Sequence, residues 1–313
     1  MSFPSLLSRN LAIPAIAAPM FLVSGPEMVI AACKSGVIGS FPTPNARTPE
    51  ILQTWMEQIS SACAADDNAA CWAANLVVHP SNNRLPADLE CVLTCKPPLV
   101  ITALGSPARV IEAVHSYGGL VFADVNSVSF ARKAVAAGVD GLVLVAAGAG
   151  GHTGHTVGFA FVEEVRAFWD GPIVLGGAIS TGQAVRAAEV LGADLAYVGT
   201  ALIACEESMA DPAYKQMVIE AGAESIVPSK GITGVTANWL RPSLIAAGYD
   251  PANMPEDKKP NFENAQDDAK AWKNLWSAGQ GVGAVRGREP MSEIIARLKR
   301  EYDAAARLPP FGK

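Results

Sequence analysis

The chain has 313 residues, half of them hydrophobic and 17% charged, with a formal net charge of −6. That is enough for a large core, in one large domain or in one domain plus a cap. The acidic balance and the lack of any basic block argue against nucleic acid or an anionic membrane as partner. A small anionic ligand stays open, because a backbone nest or a local dipole can hold one.

The stretch 1–10 has an arginine but no long apolar core, so it lacks the shape of a signal peptide. Later apolar runs are short and broken by Gly or Pro, so none reads as a membrane span. Short apolar runs at 12–19, 37–40, 72–78, 99–103, 120–125, 141–145, 172–175 and 195–198 read as buried parallel strands. Helix signals lie between them. Segment 106–117 opens on a Ser and stops at Gly118. Segment 127–137 opens on Ser127 and stops at Gly138, and 181–191 follows Ser180 and stops at Gly192. Eight strand–helix units in about 200 residues predict an α/β fold of the (β/α)8 TIM-barrel type. An open doubly wound sheet is the competitor. The barrel is preferred because the strand ends Ala-Pro-Met, Ala-Asn-Leu, Ala-Leu-Gly and Gly-Gly-Ala look like mouth loops, and no G-x-G-x-x-G follows the first strand.

After Leu202 the character changes. Segments 208–222 and 236–247 read as helices, 249–262 as a polar loop, and 267–277 as a helix with Trp272 and Trp276 on one face. The expected division is a barrel over 1–207, a small helical cap over 208–278, and a turn plus amphipathic helix over 279–313 that packs back on the barrel. Six cysteines (Cys33, Cys63, Cys71, Cys91, Cys95, Cys205) form no C-x-x-C pair. They suit packing roles in a reducing cytoplasm better than a zinc site.

Candidate chemistry centres on Val143–Gly154, where an apolar strand runs into small residues, a glycine pair and then His152. Glycines there permit a sharp turn and close approach to a ligand. His152 falls just past a strand's C-terminal end, where parallel α/β proteins place their reactive groups. The seventh strand ends in Gly176-Gly177-Ala178 and the eighth in Gly199-Thr200. Paired loops of this kind form phosphate sites in barrels, through backbone N–H groups and a helix N-terminus. Among other candidates, His79 can line the mouth, His115 reads as a surface residue, His155 as a loop residue and Tyr197 as core. Lys230 falls in the cap, within reach of a substrate.

Taken together, Ala18-Pro19-Met20, Ala74-Asn75-Leu76, Ala149-Gly150-Gly151-His152-x-Gly154, Gly176-Gly177-Ala178, Gly199-Thr200 and Ser277-Ala278-Gly279-Gln280-Gly281 resemble the nitronate monooxygenase family, long called 2-nitropropane dioxygenases. The resemblance implies an FMN-dependent barrel that oxidises alkyl nitronates, and nitroalkanes, with O2 to a carbonyl compound and nitrite. It implies that Ala18, Pro19 and Met20 lie along the isoalloxazine ring and that Asn75 points at it. Ala149, Gly150 and Gly151 would pass beside the ring, with His152 as catalytic base. Gly176, Gly177, Ala178, Gly199 and Thr200 would hold the FMN phosphate, and Gly279 and Gln280 would close over the flavin. No metal is implied. The implied partners are a small nitronate or nitroalkane and O2, with a homodimer as the assembly to test.

Two departures stand out. Where characterised members carry Gln-Gly-x-Glu, this chain has Val145-Ala146-Ala147-Gly148. Where they carry His-Lys at the fifth strand's end, it has Asp124-Val125. A flavin contact is thus replaced, with Asp124 as the new polar group. Two rivals stay open: an NAD(P)H-dependent flavin reductase acting on a quinone or enoyl thioester, and a flavin-binding module without turnover.

Overall fold

The computed structural model describes residues 3–255 and 274–309. Its strands, in chain order, are β1 (Ala15–Ala17), β2 (Gly39–Pro42), β3 (Trp72–Val77), β4 (Leu99–Ala103), β5 (Leu120–Val125), β6 (Gly141–Val145), β7 (Gly151–His152), β8 (Ile173–Gly176), β9 (Leu195–Val198), β10 (Ile226–Ser229) and β11 (Ala237–Leu240). Eight of these form one parallel sheet in the order β1-β9-β8-β6-β5-β4-β3-β2. A parallel bridge between Ile16 and Ile38 brings the two ends together. The architecture is therefore a (β/α)8 barrel, with strands matching the eight apolar runs.

Strand alternation explains both sides of that barrel. Inward positions such as Ile16, Ile38, Ala73, Ile101, Phe122, Val143, Val174 and Leu195 form a separate interior cluster, with Leu7 among them. Outward positions such as Ala74, Val121, Leu142 and Ile173 join the larger cluster beneath the helices. Phe122 needs a gap beside it: a Cβ on Gly141 would lie 2.5 Å from its ring.

The helices follow their expected signals. Ser127 caps Val128–Ala136 by accepting the Phe130 N–H at 3.3 Å. Thr181 caps Gly182–Leu191 by accepting the Ala184 N–H at 3.2 Å, and Gly192 closes that helix at φ 112°. Segment 106–117 is more broken than expected: a 3-10 turn (Pro107–Arg109) precedes a short helix, Ile111–His115. Cys33 and Cys205 are fully buried in apolar surroundings, as expected for packing residues. The C-terminal helix Met291–Ala306 packs on the helix Gly182–Leu191, so closely that a Cβ on Gly182 would lie 2.0 Å from the Leu298 carbonyl oxygen. No helix among the described residues is long and apolar enough to cross a membrane.

The segment after the eighth barrel strand differs from an all-helical cap. It contains the helix Pro212–Glu220, then an antiparallel pair β10–β11, then the helix Arg241–Ala246. The stretch 236–247, expected to be helical throughout, is a strand in its first half. Long-range pairing overrides local propensity there: Trp239 is fully buried with Val227, Ala237 and Leu244 in a small core of its own. The expected loop 249–262 and helix 267–277 fall partly outside the described residues, Trp272 among them. Trp276 is described, and its ring stacks on Tyr214 at 5.3 Å.

Candidate active site

The loop after β6 is the centre of the site. It turns back so that a Cβ on Gly154 would lie 2.5 Å from the Val145 carbonyl oxygen and 2.9 Å from that of Asn126. Only glycine fits that approach. The next turn of the loop forms β7, which pairs antiparallel with β11: His152 lies opposite Ala237 and Gly151 opposite Asn238. His152 is thus held on a three-stranded sheet, β10-β11-β7, rather than on a free loop.

Two further side chains fix this loop. Asn238, 2% exposed, donates from Nδ2 to the carbonyls of Ala147 (3.0 Å) and Ala149 (2.7 Å). The Thr153 hydroxyl donates to the carbonyls of Ala146 (3.0 Å) and Ala147 (3.1 Å). The Nε2 of His152 is buried, and burial pushes the imidazole down to about 4. The ring is therefore neutral, and able to accept a proton, over the whole ordinary working range.

The barrel mouth is lined by the last inward residue of several strands. Asn75 follows inward Ala73 on β3, and its Nδ2 donates to the Ile101 carbonyl at 3.2 Å. Asp124 follows inward Phe122 on β5, and Tyr197 follows inward Leu195 on β9. Gly176 pairs with Tyr197, and a Cβ there would lie 3.2 Å from the tyrosine's Cβ. Tyr197 is packed against the interior cluster as expected of a core residue, but its hydroxyl reaches the mouth end and has no hydrogen-bond partner.

The glycine turns after β8 and β9 come together through the loop after β6 and the turn at 279–280. The Gly148 carbonyl accepts the N–H groups of Ala178 (3.1 Å) and Gln280 (2.9 Å). The Thr200 hydroxyl oxygen accepts the Gly279 N–H at 2.8 Å. Gly177 at φ 132° and Ala178 at φ 57° make the turn. Gly148 explains one departure from the family pattern: a Cβ there would lie 3.0 Å from Ala178 Cβ. On the first strand's side, Ala18 donates its N–H to the Val198 carbonyl at 2.9 Å. A Cβ on Gly199 would lie 3.5 Å from both Ala18 Cβ and Met20 Sδ. Pro19 lies between them, half-buried. Asn45 braces this turn, accepting the Leu22 N–H at 2.9 Å and donating to the Met20 carbonyl at 3.0 Å.

The N-terminus of the helix after β8 is already partly engaged within the fold. Its first N–H, from Gly182, is taken by the Glu301 carboxylate at 2.9 Å. Two hydroxyls also stand at this corner: Thr200, and Ser180, whose buried Oγ has no partner. The sequence singles out none of Ser180, Asn238 and Thr153 as site residues: Ser180 reads as the residue before a helix, Thr153 as the variable position of the 149–154 motif, and Asn238 carries no local signal.

Of the remaining candidates, His79 is half-buried, with Nδ1 2.8 Å from the Ser81 hydroxyl. His115 is an exposed helix residue paired with Asp140 at 2.8 Å. His155 and Lys230 line a cavity of about 670 Å3 between the His152 loop and the β10–β11 hairpin, together with Thr153, Asn238 and Gln280. That cavity approaches the site from the cap side and does not extend to Asn75, Asp124 or Tyr197.

A barrel with buried, unspent polar atoms at its mouth and a histidine fixed above the strand ends is the framework of a cofactor-dependent enzyme. The sequence places it further. The nitronate monooxygenase family model matches residues 63–301, and the chain belongs to that family of flavin-dependent oxidoreductases. A nitronate monooxygenase of Paraburkholderia phytofirmans is 28% identical across 92% of both chains. One from Pseudomonas aeruginosa is 30% identical over 69% of this chain and 66% of its own. In fold, the nitroalkane oxidase of Streptomyces ansochromogenes superposes with a TM-score of 0.82 at 22% identity, over 96% of this chain and 99% of its own.

Proposed function

We propose that this protein binds FMN across the barrel mouth and oxidises alkyl nitronates with O2 to a carbonyl compound and nitrite. The observation that carries the reading is the coincidence of three buried, unpartnered polar atoms, Asp124 Oδ1, Ser180 Oγ and Tyr197 OH, with the glycine turns that family resemblance assigns to FMN. A buried polar atom without a partner costs about 1–3 kcal/mol, so a ligand that satisfies three of them gains affinity. The turns are also stripped of side chains where they meet: a Cβ on Gly281 would lie 2.4 Å from Ser180 Oγ, and one on Gly279 2.5 Å from the Gly148 carbonyl.

In this reading Ala18, Pro19, Met20, Asn75, Asp124, Ala149, Gly150 and Gly151 would hold the ring. Gly176, Gly177, Ala178, Gly199 and Thr200 surround the phosphate, with Ser180 as an added hydroxyl donor. Gly279 and Gln280 close the cap side. When bound, FMN supplies the electron acceptor and the route from substrate to O2.

The protein's own contribution is position and proton handling. A nitronate arrives as an anion and needs no base. A nitroalkane must first lose its α-proton, and the neutral His152 imidazole accepts it. Burial makes that imidazole a weak base at rest. Negative charge developing on the nitro group beside it strengthens it during transfer. The β7–β11 pairing and Asn238 keep the ring from swinging away while this happens.

Oxygen consumption and nitrite release with propionate 3-nitronate test the proposal. Turnover with nitrite is the expected result. No turnover with any nitronate, with rapid anaerobic bleaching by NADH instead, would assign the protein to the NAD(P)H-dependent flavin reductases.

A further inference from the structure

Two of the unpartnered atoms belong together. Asp124 and Tyr197 each stand two residues past an inward residue, Phe122 on β5 and Leu195 on β9, and they interact electrostatically across the intervening β6 and β8. Yet Asp124 Oδ1 and Tyr197 OH do not hydrogen-bond to each other, and each is buried without a partner. An ionised carboxylate beside a phenol would take its O–H as donor. A neutral carboxyl does not need it and leaves both hydroxyl hydrogens to point elsewhere.

We infer that Asp124 is held as the neutral acid and that it and Tyr197 present two hydrogen-bond donors to one acceptor oxygen of the ligand in the barrel mouth. This rests on the FMN reading above and adds the donor chemistry and pH response of the site. The acceptor is either a carbonyl oxygen of the flavin or an oxygen of the nitronate. The arrangement suits a chain that has Asp124-Val125 at this strand end instead of a cationic pair: it keeps the donors and drops the charge.

The surroundings support the neutral form. Burial pushes the Asp124 carboxyl up to about 8, and no charged neighbour offsets it. The flanking strands β4 and β6 carry no titratable residue, and across the barrel the facing group is the Tyr197 phenol. Helices packed on the outer side of β5 carry Glu112, His115, Arg132 and Lys133, on the far side of the strand from the carboxyl. Tyr197 itself is raised well above the usual tyrosine range, first by burial and then by Asp124, so its hydroxyl stays protonated.

The test is ligand binding between pH 7 and 9, with activity left out. Apoprotein is titrated with FMN, and holoprotein with propionate 3-nitronate under anaerobic conditions. The same is done for Asp124→Asn and Tyr197→Phe. In wild type, one of the two affinities is expected to weaken above about pH 8, approaching tenfold per pH unit. In Asp124→Asn that affinity is expected to be flat, and in Tyr197→Phe to be lower at every pH. A fall in FMN affinity identifies the flavin as acceptor, and a fall in nitronate affinity alone identifies the substrate. Flat affinities in wild type, or an equal fall in Asp124→Asn, would overturn the inference. A second readout needs no ligand: the melting temperature of apoprotein, relative to Asp124→Asn, should drop as pH rises toward 8. If the carboxyl titrates below pH 5 by that measure, the inference fails even where FMN binds. If FMN binds at no pH, the cofactor reading fails while this readout still decides the state of Asp124.

Discussion

Ala237 lies directly opposite His152, in an antiparallel pair that joins the loop after β6 to a hairpin more than eighty residues further on. The catalytic candidate is therefore positioned by the segment that follows the barrel, not by the barrel strand that precedes it. Asn238, next to Ala237, is the bolt: both hydrogens of its amide are spent on carbonyls of the His152 loop. Asn238→Ala takes the side-chain donor from the half-buried Ala149 carbonyl and leaves Ala147 with the Thr153 hydroxyl alone. The expected loss is about 1–3 kcal/mol of stability, with a drop in nitroalkane kcat larger than any change in FMN affinity. Steady-state kinetics beside a flavin titration check this.

His152→Ala separates the two substrate classes. If the imidazole is the base, nitroalkane turnover should fall by ~10²–10⁴ while nitronate turnover changes little and FMN still binds. Equal losses on both substrates would make His152 a binding residue instead.

The same residue sets a pH expectation. Because burial holds the imidazole at about 4, the acid limb of kcat/KM for a nitroalkane should lie near that value, well below the ordinary histidine range. Stability follows the same sign. The unfolded chain takes up the proton below about 6.5, while the fold resists it. Apoprotein stability attributable to His152 is thus lost as pH falls from there toward 4. His152→Asn should raise the melting temperature at pH 4 and leave it unchanged at pH 8.

How far the sequence carried this account depends on whether the relevant contacts are local. The eight barrel strands were legible because each is a short apolar run closed by a turn signal, and parallel strands buried on both faces read that way. Capping residues such as Ser127 and Thr181 act within one turn, so they too were legible. The hairpin was not. Ala237–Leu240 runs straight into a helix starting at Arg241, and what makes it a strand is pairing with β7 and β10. Asn238 is invisible for the same reason, since its partners are some ninety residues away. Tyr197 was read by its apolar ring, and only the strand level shows where its hydroxyl ends.

Gly148 is a steric commitment of this chain. Gly148→Glu, which restores the acidic residue of characterised family members, places a Cβ 3.0 Å from that of Ala178 in the β8 turn. The expected result is ~1–3 kcal/mol of destabilisation and weaker FMN binding, read by thermal melting and fluorescence titration.

Glu301 separates fold from site. Its carboxylate takes the first N–H of the helix Gly182–Leu191 from outside the mouth. Glu301→Ala should cost about 0.5–2 kcal/mol, as loss of a helix N-terminal acceptor does, and should leave FMN affinity unchanged. A marked gain in FMN affinity would instead mean that this helix end competes for the phosphate.

The most direct test of the account is a titration of the purified protein, stripped of any bound ligand, with FMN, following flavin absorbance and fluorescence. The expected result is saturable binding of one flavin per chain, with a perturbed visible spectrum that Ser180→Ala and Tyr197→Phe weaken. A protein that keeps its fold, stays colourless and leaves the FMN spectrum unchanged would contradict it.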